Sequence, residues 1–164
     1  MLTIREFKKA DYPAVQRIYQ QGIDTGDATF ETGIKSWDEW DTATADAGRL
    51  VAVEAGQVAA WACLSDVTSR CVYRGVGETS VYVNPEYQGR GIGKNLLKAL
   101  IDASETAGYW TLQARIFPEN VASIVLHEKL GFVSLGVHIK LGQLKGVWRD
   151  VQLLERRSSI IGVD

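Results

Sequence analysis

Apolar residues recur along the chain with two periods, and these periods predict the order of its strands and helices. Residues 2–7 alternate between apolar and polar side chains, which predicts a first strand. A helix is predicted after Asp11, a candidate N-cap, with its end between Gly22 and Gly26. Ser36 is then expected to cap a second helix.

The rest of the chain predicts three strands, a helix, a strand, a helix and two final strands. The predicted strands are residues 50–54, 58–64, 79–83, 111–117, 133–141 and 147–154, and the helices end at Gly108 and Gly131. The last two strands are expected to be joined through Gly142 and Gly146. This order predicts an α/β (α+β) fold in which one mixed sheet carries helices on both faces.

Composition and charge argue against several classes of protein. The chain has 164 residues, which favours a single domain. A net charge of −2 argues against nucleic-acid binding, and no apolar run approaches the ~20 residues of a membrane span. Without a signal-peptide pattern, Cys63 and Cys71 are expected to be thiols in a cytoplasmic protein, with a disulfide between them as the less favoured alternative. Two histidines give no convincing zinc site.

The segment with the clearest chemistry is the glycine-rich stretch at residues 88–93. It follows the strand at residues 79–83, which Asn84 and Pro85 terminate, and it leads into an amphipathic helix. The first N–H groups of a helix have no partner within that helix, and glycine lets an anion approach the backbone closely. The segment therefore predicts a phosphate site.

Two familiar phosphate-binding loops do not fit this segment. A P-loop requires Gly five residues before its Gly-Lys pair and Ser or Thr after the Lys, where this chain has Gln88 and Asn95. A dinucleotide-binding loop requires a third Gly, and the corresponding position is Lys94 or Leu96. The pattern that remains is Gln-x-x-Gly-x-Gly after a strand.

This pattern resembles the acetyl-CoA loop of the GNAT superfamily of N-acetyltransferases. The resemblance implies a mostly antiparallel sheet, acetyl-CoA as cosubstrate and no metal. It also implies that loop amides bind the CoA pyrophosphate, and that a bulge frees a backbone N–H near Tyr82 or Val83 for the acetyl group. The cofactor-binding residues that it implies are Val81, Tyr82, Val83, Gln88, Gly89, Arg90, Gly91, Ile92, Gly93, Lys94, Asn120 and Ser123.

Residues 120–132 resemble the second GNAT signature, in which an Asn side chain binds the pantetheine arm of CoA. Asn120, Ser123 and His127 are spaced to share one helix face, and Asn120 could also be the N-cap. Many family members have a Tyr at the position of His127 that acts as general acid for the thiolate. His127 could donate that proton or only close the pocket. The residues expected to pack on the sheet are Val125, Leu126 and Leu130.

Further segments narrow the resemblance to phosphinothricin acetyltransferases, whose relatives acetylate methionine sulfone and sulfoximine. These segments are residues 28–30, 73–74, 78–83, 123–128 and 146–151. The resemblance implies a single domain at residues 1–155 and leaves residues 156–164 as a C-terminal tail. Two departures stand out. Ala60 replaces the usual Gly before Trp61, and Val147 and Arg149 flank Trp148 in place of commoner residues. Both departures could alter the rim of the substrate site.

Glu78 is the candidate general base for acetyl transfer to an amine. The amine must lose a proton, and a nearby carboxylate can take it directly or through water. The pKa of an unperturbed Glu is ~4.3, so the surroundings of Glu78 must raise it unless a water chain carries the proton. The alternative is a solvent-exposed carboxylate at the end of a strand.

Four residues are candidates for contact with the acceptor. Arg74 could bind a substrate carboxylate with two hydrogen bonds, although it could also be a surface residue. Phe30, Glu31 and Tyr73 are expected to shape the pocket wall, with an ordinary core position as the alternative for Phe30.

The sequence therefore favours an acetyl-CoA-dependent N-acetyltransferase that acts on the amine of a small amino-acid-like molecule by direct attack on the thioester. A protein N-terminus or an antibiotic amine is an alternative acceptor. A non-catalytic acyl-CoA-binding module is a third possibility, against which the presence of Glu78 argues. The resemblance also implies a homodimer that uses the hairpin at residues 142–148.

Overall fold

The computed structural model describes residues 1–164 and contains one seven-stranded sheet with four α-helices. The strands are β1 (Leu2–Glu6), β2 (Leu50–Glu54), β3 (Gln57–Asp66), β4 (Val76–Val83), β5 (Thr111–Ile116), β6 (Val133–Leu144) and β7 (Val147–Arg157). The helices are α1 (Tyr12–Thr25), α2 (Trp37–Ala43), α3 (Ile92–Thr106) and α4 (Val121–Glu128). The order of elements is the predicted one.

The sheet is mixed and mostly antiparallel, as the sequence predicted. Its strand order is β1-β2-β3-β4-β5-β7-β6. Only β4 and β5 run parallel, and every other neighbouring pair is antiparallel. A parallel pair requires a crossover connection, and α3 provides it between these two central strands.

Helices cover both faces of the sheet, which is also confirmed. On one face α3 packs Leu96, Leu97 and Leu100, all fully buried, against the sheet, together with residues of α4. On the other face α1 and α2 form an aromatic core that includes Trp40 and Trp61. Because the two cores are separate, each face can supply a different half of a site at the centre of the sheet.

Strand β4 begins at Val76, three residues before its predicted start. The sequence did not predict this start because Gly75 and Gly77 lie there, and glycine is unfavourable within a strand. A Cβ added to Gly75 would lie 2.1 Å from the Trp110 ring, and one added to Gly77 would lie 3.0 Å from Tyr109. The aromatic pair that precedes β5 thus occupies the space that side chains would need.

The final hairpin differs from the prediction at both strands. Gly142 lies inside β6, and the turn is formed by Lys145 and Gly146, whose φ angles are 49° and 80°. A Cβ on Gly142 would lie 3.2 Å from the Phe30 ring, so glycine here makes room for that ring. Strand β7 continues to Arg157, two residues into the segment predicted as a tail.

The two N-terminal helices begin differently from one another. Ser36 caps α2 as predicted, because its hydroxyl accepts from the Glu39 amide while the Glu39 carboxylate accepts from the Ser36 amide. Asp11 precedes α1, but its side chain does not cap that helix; it binds Arg5 with two hydrogen bonds of 2.8 Å. No helix of the chain combines the length and the apolar character needed to cross a bilayer.

Candidate active site

Strands β4 and β5 pair only at their first three residues and then separate. The parallel ladder ends where Glu78 faces Gln113. Beyond this point β4 stays paired with β3, and β5 stays paired with β7. The register of β4 with β3 is continuous from Gly77 to Val83, so the predicted bulge in β4 is wrong. The gap arises because the two strands follow different neighbours.

A cavity of about 1060 Å³ fills this gap and extends over both faces of the sheet. Most of the residues predicted for the site line it. From the predicted cofactor set these are Val81, Tyr82, Val83, Gln88, Gly89, Gly91, Ile92, Gly93, Lys94, Asn120 and Ser123. From the other predicted sets they are Glu78, His127, Phe30 and Glu31. Tyr73, Arg74 and Arg90 are not part of the lining.

Strand β4 divides the cavity into two halves, because successive side chains of a strand point to opposite faces. Tyr82 stacks on Trp61 in the aromatic core of α1 and α2, at a ring separation of 4.9 Å. Val81 and Val83 pack with the core of α3 and α4. Glu78 therefore shares the α1–α2 side with Tyr82. We call the α1–α2 side the acceptor half and the α3–α4 side the cofactor half.

The backbone of β4 directs N–H groups into the gap. The Asn84 amide donates to the Ala59 carbonyl of the β3 side, at 2.8 Å. Because N–H direction alternates along a strand, the Tyr82 amide points toward β3, and the amides of Val81 and Val83 point toward the gap. Of the two residues expected near the free N–H, Val83 fits this direction and Tyr82 does not.

The glycine-rich loop has the shape of an anion site. Gly89 and Gly91 have left-handed φ angles of 76° and 75°, and a Cβ added to either would meet nothing within 4 Å. The Asn95 amide donates to the Gly91 carbonyl and closes the first turn of α3. The amides at positions 92–94 precede this bond, so they have no acceptor within the helix. The loop thus presents unshielded donors at a helix N-terminus.

The two cations that flank the loop differ in their surroundings. Arg90 forms an ion pair with Glu54 at 2.8 Å and lies over the Tyr87 ring, outside the cavity lining. Lys94 does line the cavity. The ion pair with Glu54 holds the Arg90 side chain away from the predicted phosphate site.

Glu78 lies at the point where the two strands separate. Its carboxylate is half-buried and is 3.2 Å from the Arg115 guanidinium. Burial raises the pKa of Glu78 above its ordinary value, while the charge and the hydrogen bond of Arg115 act in the opposite direction. A raised pKa is what a carboxylate needs to accept a proton near neutral pH.

His127 is buried in the cofactor half and makes two hydrogen bonds. Its Nδ1 lies 2.8 Å from the Ser123 carbonyl, which can only accept, so Nδ1 carries the proton. Its Nε2 lies 3.2 Å from the Thr79 hydroxyl. Burial lowers the pKa of His127, and the neutral ring therefore accepts the Thr79 proton at Nε2. Thr79 was missed from the sequence, although it directly follows Glu78.

Helix α4 is shorter and oriented differently than expected. It ends at Glu128, before the predicted C-terminal Gly131. Val125 is exposed, so the prediction that it packs on the sheet is wrong, whereas Ile124 packs there with Leu126 and Leu130. The Asn120 side chain accepts from the Ser123 amide at 3.3 Å, which confirms Asn120 as the N-cap.

Aromatic rings and a second ion pair also line the acceptor half. Tyr82 packs against Tyr19 at 5.0 Å as well as against Trp61. Across the cavity, Phe30 packs edge-on against Phe117 at 4.8 Å. Glu31 pairs with Lys35 at 3.2 Å. The cationic side chains that line the cavity are Lys35, Lys94 and Arg115.

Two predicted acceptor residues lie elsewhere on the surface. The Arg74 guanidinium packs over the Trp110 ring at 5.6 Å, and Tyr73 is exposed beneath Arg70. No group of His, Cys, Asp and Glu side chains in the chain could hold a metal ion. The polar groups of the cavity are carboxylates, amines, a guanidinium, an imidazole, hydroxyls and backbone amides.

Comparison with known proteins agrees with this geometry. The model of the acetyltransferase (GNAT) family matches residues 7–132. The chain belongs to the GNAT family of acetyltransferases. The matched region runs from the end of β1 through α4, so it includes β4, the glycine-rich loop and both helices of the cofactor half.

Similar GNAT proteins match almost the whole chain. An L-amino acid N-acyltransferase, MnaT, of Escherichia coli is 34% identical over 94% of this chain and 92% of its own length. An L-methionine sulfoximine/L-methionine sulfone acetyltransferase of Salmonella typhimurium is 34% identical over 94% of this chain and 93% of its own length. One similar crystal structure is that of a phosphinothricin acetyltransferase from Sinorhizobium meliloti in complex with acetyl-CoA. It has a TM-score of 0.90 and 31% identity, and the match covers 99% of this chain and 91% of that one.

Proposed function

We propose that this GNAT enzyme transfers acetyl from acetyl-CoA to the amine of a small amino-acid-like substrate of the phosphinothricin or methionine sulfone and sulfoximine type. One observation carries the proposal. Glu78, whose pKa is raised by burial, lies where the acceptor half of the cavity meets the cofactor half. The names of the similar proteins support the acceptor class.

The cofactor half fits acetyl-CoA. Unpaired amides at residues 92–94 and the positive φ angles of Gly89 and Gly91 suit a pyrophosphate. Asn120 and Ser123 line the cavity beyond the loop and would bind the pantetheine arm. When bound, acetyl-CoA supplies an activated acyl group. The amides of Val81 and Val83 point to the side where its carbonyl oxygen would gain charge.

Glu78 acts as general base in this proposal. It accepts the proton of the acceptor amine, directly or through water, and Arg115 favours the carboxylate form that this step requires. His127 holds the Thr79 hydroxyl and keeps its own proton on Nδ1, against the Ser123 carbonyl. Because a thiolate is a fair leaving group, the reaction does not require an acid at this position.

Lys35 is the proposed partner for the carboxylate of the acceptor. Of the cations in the cavity, Lys94 belongs to the phosphate loop and Arg115 is paired with Glu78, the proposed base. Lys35, in contrast, is paired with the exposed Glu31, which a substrate carboxylate can replace. Lys35 lies in the acceptor half, and its backbone carbonyl is fixed by hydrogen bonds from Tyr12 and Gln16. We therefore favour Lys35 over Arg74 for this role.

The decisive experiment is a screen of acceptors in which release of the CoA thiol is measured. Methionine sulfone, methionine sulfoximine and phosphinothricin should be acetylated, with a protein N-terminal peptide and an aminoglycoside as contrasting acceptors. If only the peptide or only the aminoglycoside reacts, the acceptor class proposed here is wrong. If acetyl-CoA binds but no acceptor reacts, the chain is a binding module.

A homodimer is the proposed assembly. Strand β6 is at the edge of the sheet and exposes a series of large apolar residues. These residues are Val133, Leu135, Val137, Ile139 and Leu141. Contiguous exposed apolar surface of this kind marks an interaction site. Light scattering should give twice the mass of 18.1 kDa, and a monomer would refute the assembly.

A further inference from the structure

Arg149 in β7 connects three segments that meet at the acceptor half. Its guanidinium donates to the Gly26 carbonyl and to the Asp27 carboxylate, each at 2.8 Å, and to the Glu119 carboxylate at 3.3 Å. The same group lies 4.2 Å from the centre of the Phe117 ring. These contacts link the C-terminal end of α1, the connection between β5 and α4, and β7.

The position of Arg149 makes these contacts hard to replace. Its side chain is 14% exposed, whereas Asp27 and Glu119 are about half exposed. A guanidinium can donate in several directions within one plane and also stack on an aromatic ring. A lysine could not make all of these contacts from the same place. With Val147, Arg149 also forms the second of the two departures from the residues common in phosphinothricin acetyltransferases.

The segment held by Arg149 carries part of the acceptor wall. Residues 26–31 contain no helix or strand, so contacts with other segments determine where they lie. Phe30 packs on Phe117, the ring that also lies beneath the Arg149 guanidinium. Phe30 also occupies the space left by the missing side chain of Gly142. Both Phe30 and Glu31 line the cavity.

We infer that Arg149 is a positioning residue that fixes residues 26–31 and thereby sets the shape of the acceptor half. It is not itself in the cavity lining, so it acts through Asp27, Phe117 and Phe30. The cofactor half is built on α3 and α4, and the only Arg149 contact next to it is the longest hydrogen bond, to Glu119 at 3.3 Å. The inference rests on the proposed function only in assuming that the acceptor contacts this wall.

The test compares Arg149→Met with the matched control Arg5→Met. Arg5 also binds a carboxylate with two hydrogen bonds, to Asp11, but it lies on β1 at the far edge of the sheet. Arg149→Met should raise the KM for the acceptor about tenfold, as expected for lost hydrogen bonds to charged groups, and leave the KM for acetyl-CoA within about twofold. Hydrogen exchange of residues 26–31 should become faster. Arg149→Lys should bring both the acceptor KM and the exchange rate part of the way back to the parent values.

Each result decides the inference. If Arg5→Met alters the acceptor KM as much as Arg149→Met does, the effect is general destabilisation and the inference is wrong. It is also overturned if exchange of residues 26–31 is unchanged, or if exchange is faster and the acceptor KM stays the same. If the parent protein acetylates no amine, the proposed function fails separately. Hydrogen exchange then supports or overturns the positioning role by itself.

Discussion

The Arg115 guanidinium lies 3.2 Å from the Glu78 carboxylate and opposes the effect of burial on it. Burial favours the protonated acid, and Arg115 favours the carboxylate. The balance raises the pKa of Glu78. The Glu78 carboxylate is thus a stronger base than that of an exposed glutamate.

Glu78→Gln should lower kcat/KM by about 10²–10⁴-fold, the usual contribution of a general base. In the parent enzyme the rate should fall with decreasing pH through the raised pKa of Glu78, because only the carboxylate accepts a proton. Arg115→Met removes the group that lowers this pKa, so the acid limb of the pH–rate profile should move to higher pH. A limb that stays in place would show that another group controls it.

Glu78→Gln should lower activity but raise the stability of the folded protein. Since the pKa of Glu78 is raised on folding, ionisation of its carboxylate destabilises the folded state as pH rises from ~4.3 through the folded pKa. Glu78→Gln should therefore melt higher than the parent at pH 7, and the difference should vanish near pH 4.

Glu105→Gln is the matched control for the melting experiment, because the pKa of Glu105 is lowered and not raised on folding. Burial alone would raise the pKa of Glu105, but hydrogen bonds from Ser158 and Arg156 lower it. Its stabilisation is present above the unfolded pKa and is lost as pH falls through the folded pKa. This variant should melt lower than the parent at pH 7. If the melting temperatures of both variants shift in the same direction, the conclusion that ionised Glu78 destabilises the folded state is wrong.

Gly91→Ala should weaken the binding of acetyl-CoA. A left-handed φ costs an Ala about 1–2 kcal/mol, and the new methyl group would occupy the open space before the loop amides. Loss of one hydrogen bond to a charged phosphate corresponds to a KM about tenfold higher. Gly56→Ala is the control, since Gly56 has a φ of 77° and open space around it in the hairpin between β2 and β3. It should lose similar stability without a change in that KM.

The sequence predicted the cofactor half better than the acceptor half, for a physical reason. The cofactor half is built from consecutive residues, and the Gly89–Gly91 loop and the Asn120 cap depend on local backbone geometry. The acceptor half depends on contacts between distant segments. Arg149 binds Asp27 across 122 positions of the chain, and no local pattern indicates such a contact.

The acceptor side chains illustrate the same limit. Arg74 is close to Glu78 in sequence, but the short connection before β4 directs it over Trp110. Lys35 is far from Glu78 in sequence and lines the same cavity. Similarly, periodicity alone predicted Val125 to be buried, although α4 turns its neighbour Ile124 toward the sheet.

Lys35→Gln should raise the KM for acceptors that carry a carboxylate by about 10–100-fold, the loss expected for a hydrogen bond to a charged group. The KM for the corresponding amides and for acetyl-CoA should change little. Arg74→Ala should stay within about twofold of the parent for both kinds of acceptor, because its side chain lies outside the cavity. If Arg74→Ala instead raises the KM for carboxylate-bearing acceptors strongly and Lys35→Gln does not, Arg74 binds the carboxylate and the assignment to Lys35 is wrong.

His127→Gln tests whether the ring donates a proton or only holds Thr79. Glutamine can accept from the Thr79 hydroxyl and donate to a backbone carbonyl, but it cannot act as a general acid. If His127 only positions Thr79, kcat should stay within about fivefold and the pH–rate profile should keep its shape, as the effect is then one of hydrogen-bond geometry. His127→Ala, which cannot hold Thr79, should lose more activity. A general acid would instead give losses of about 10²-fold or more in both variants, together with loss of the alkaline limb of the profile.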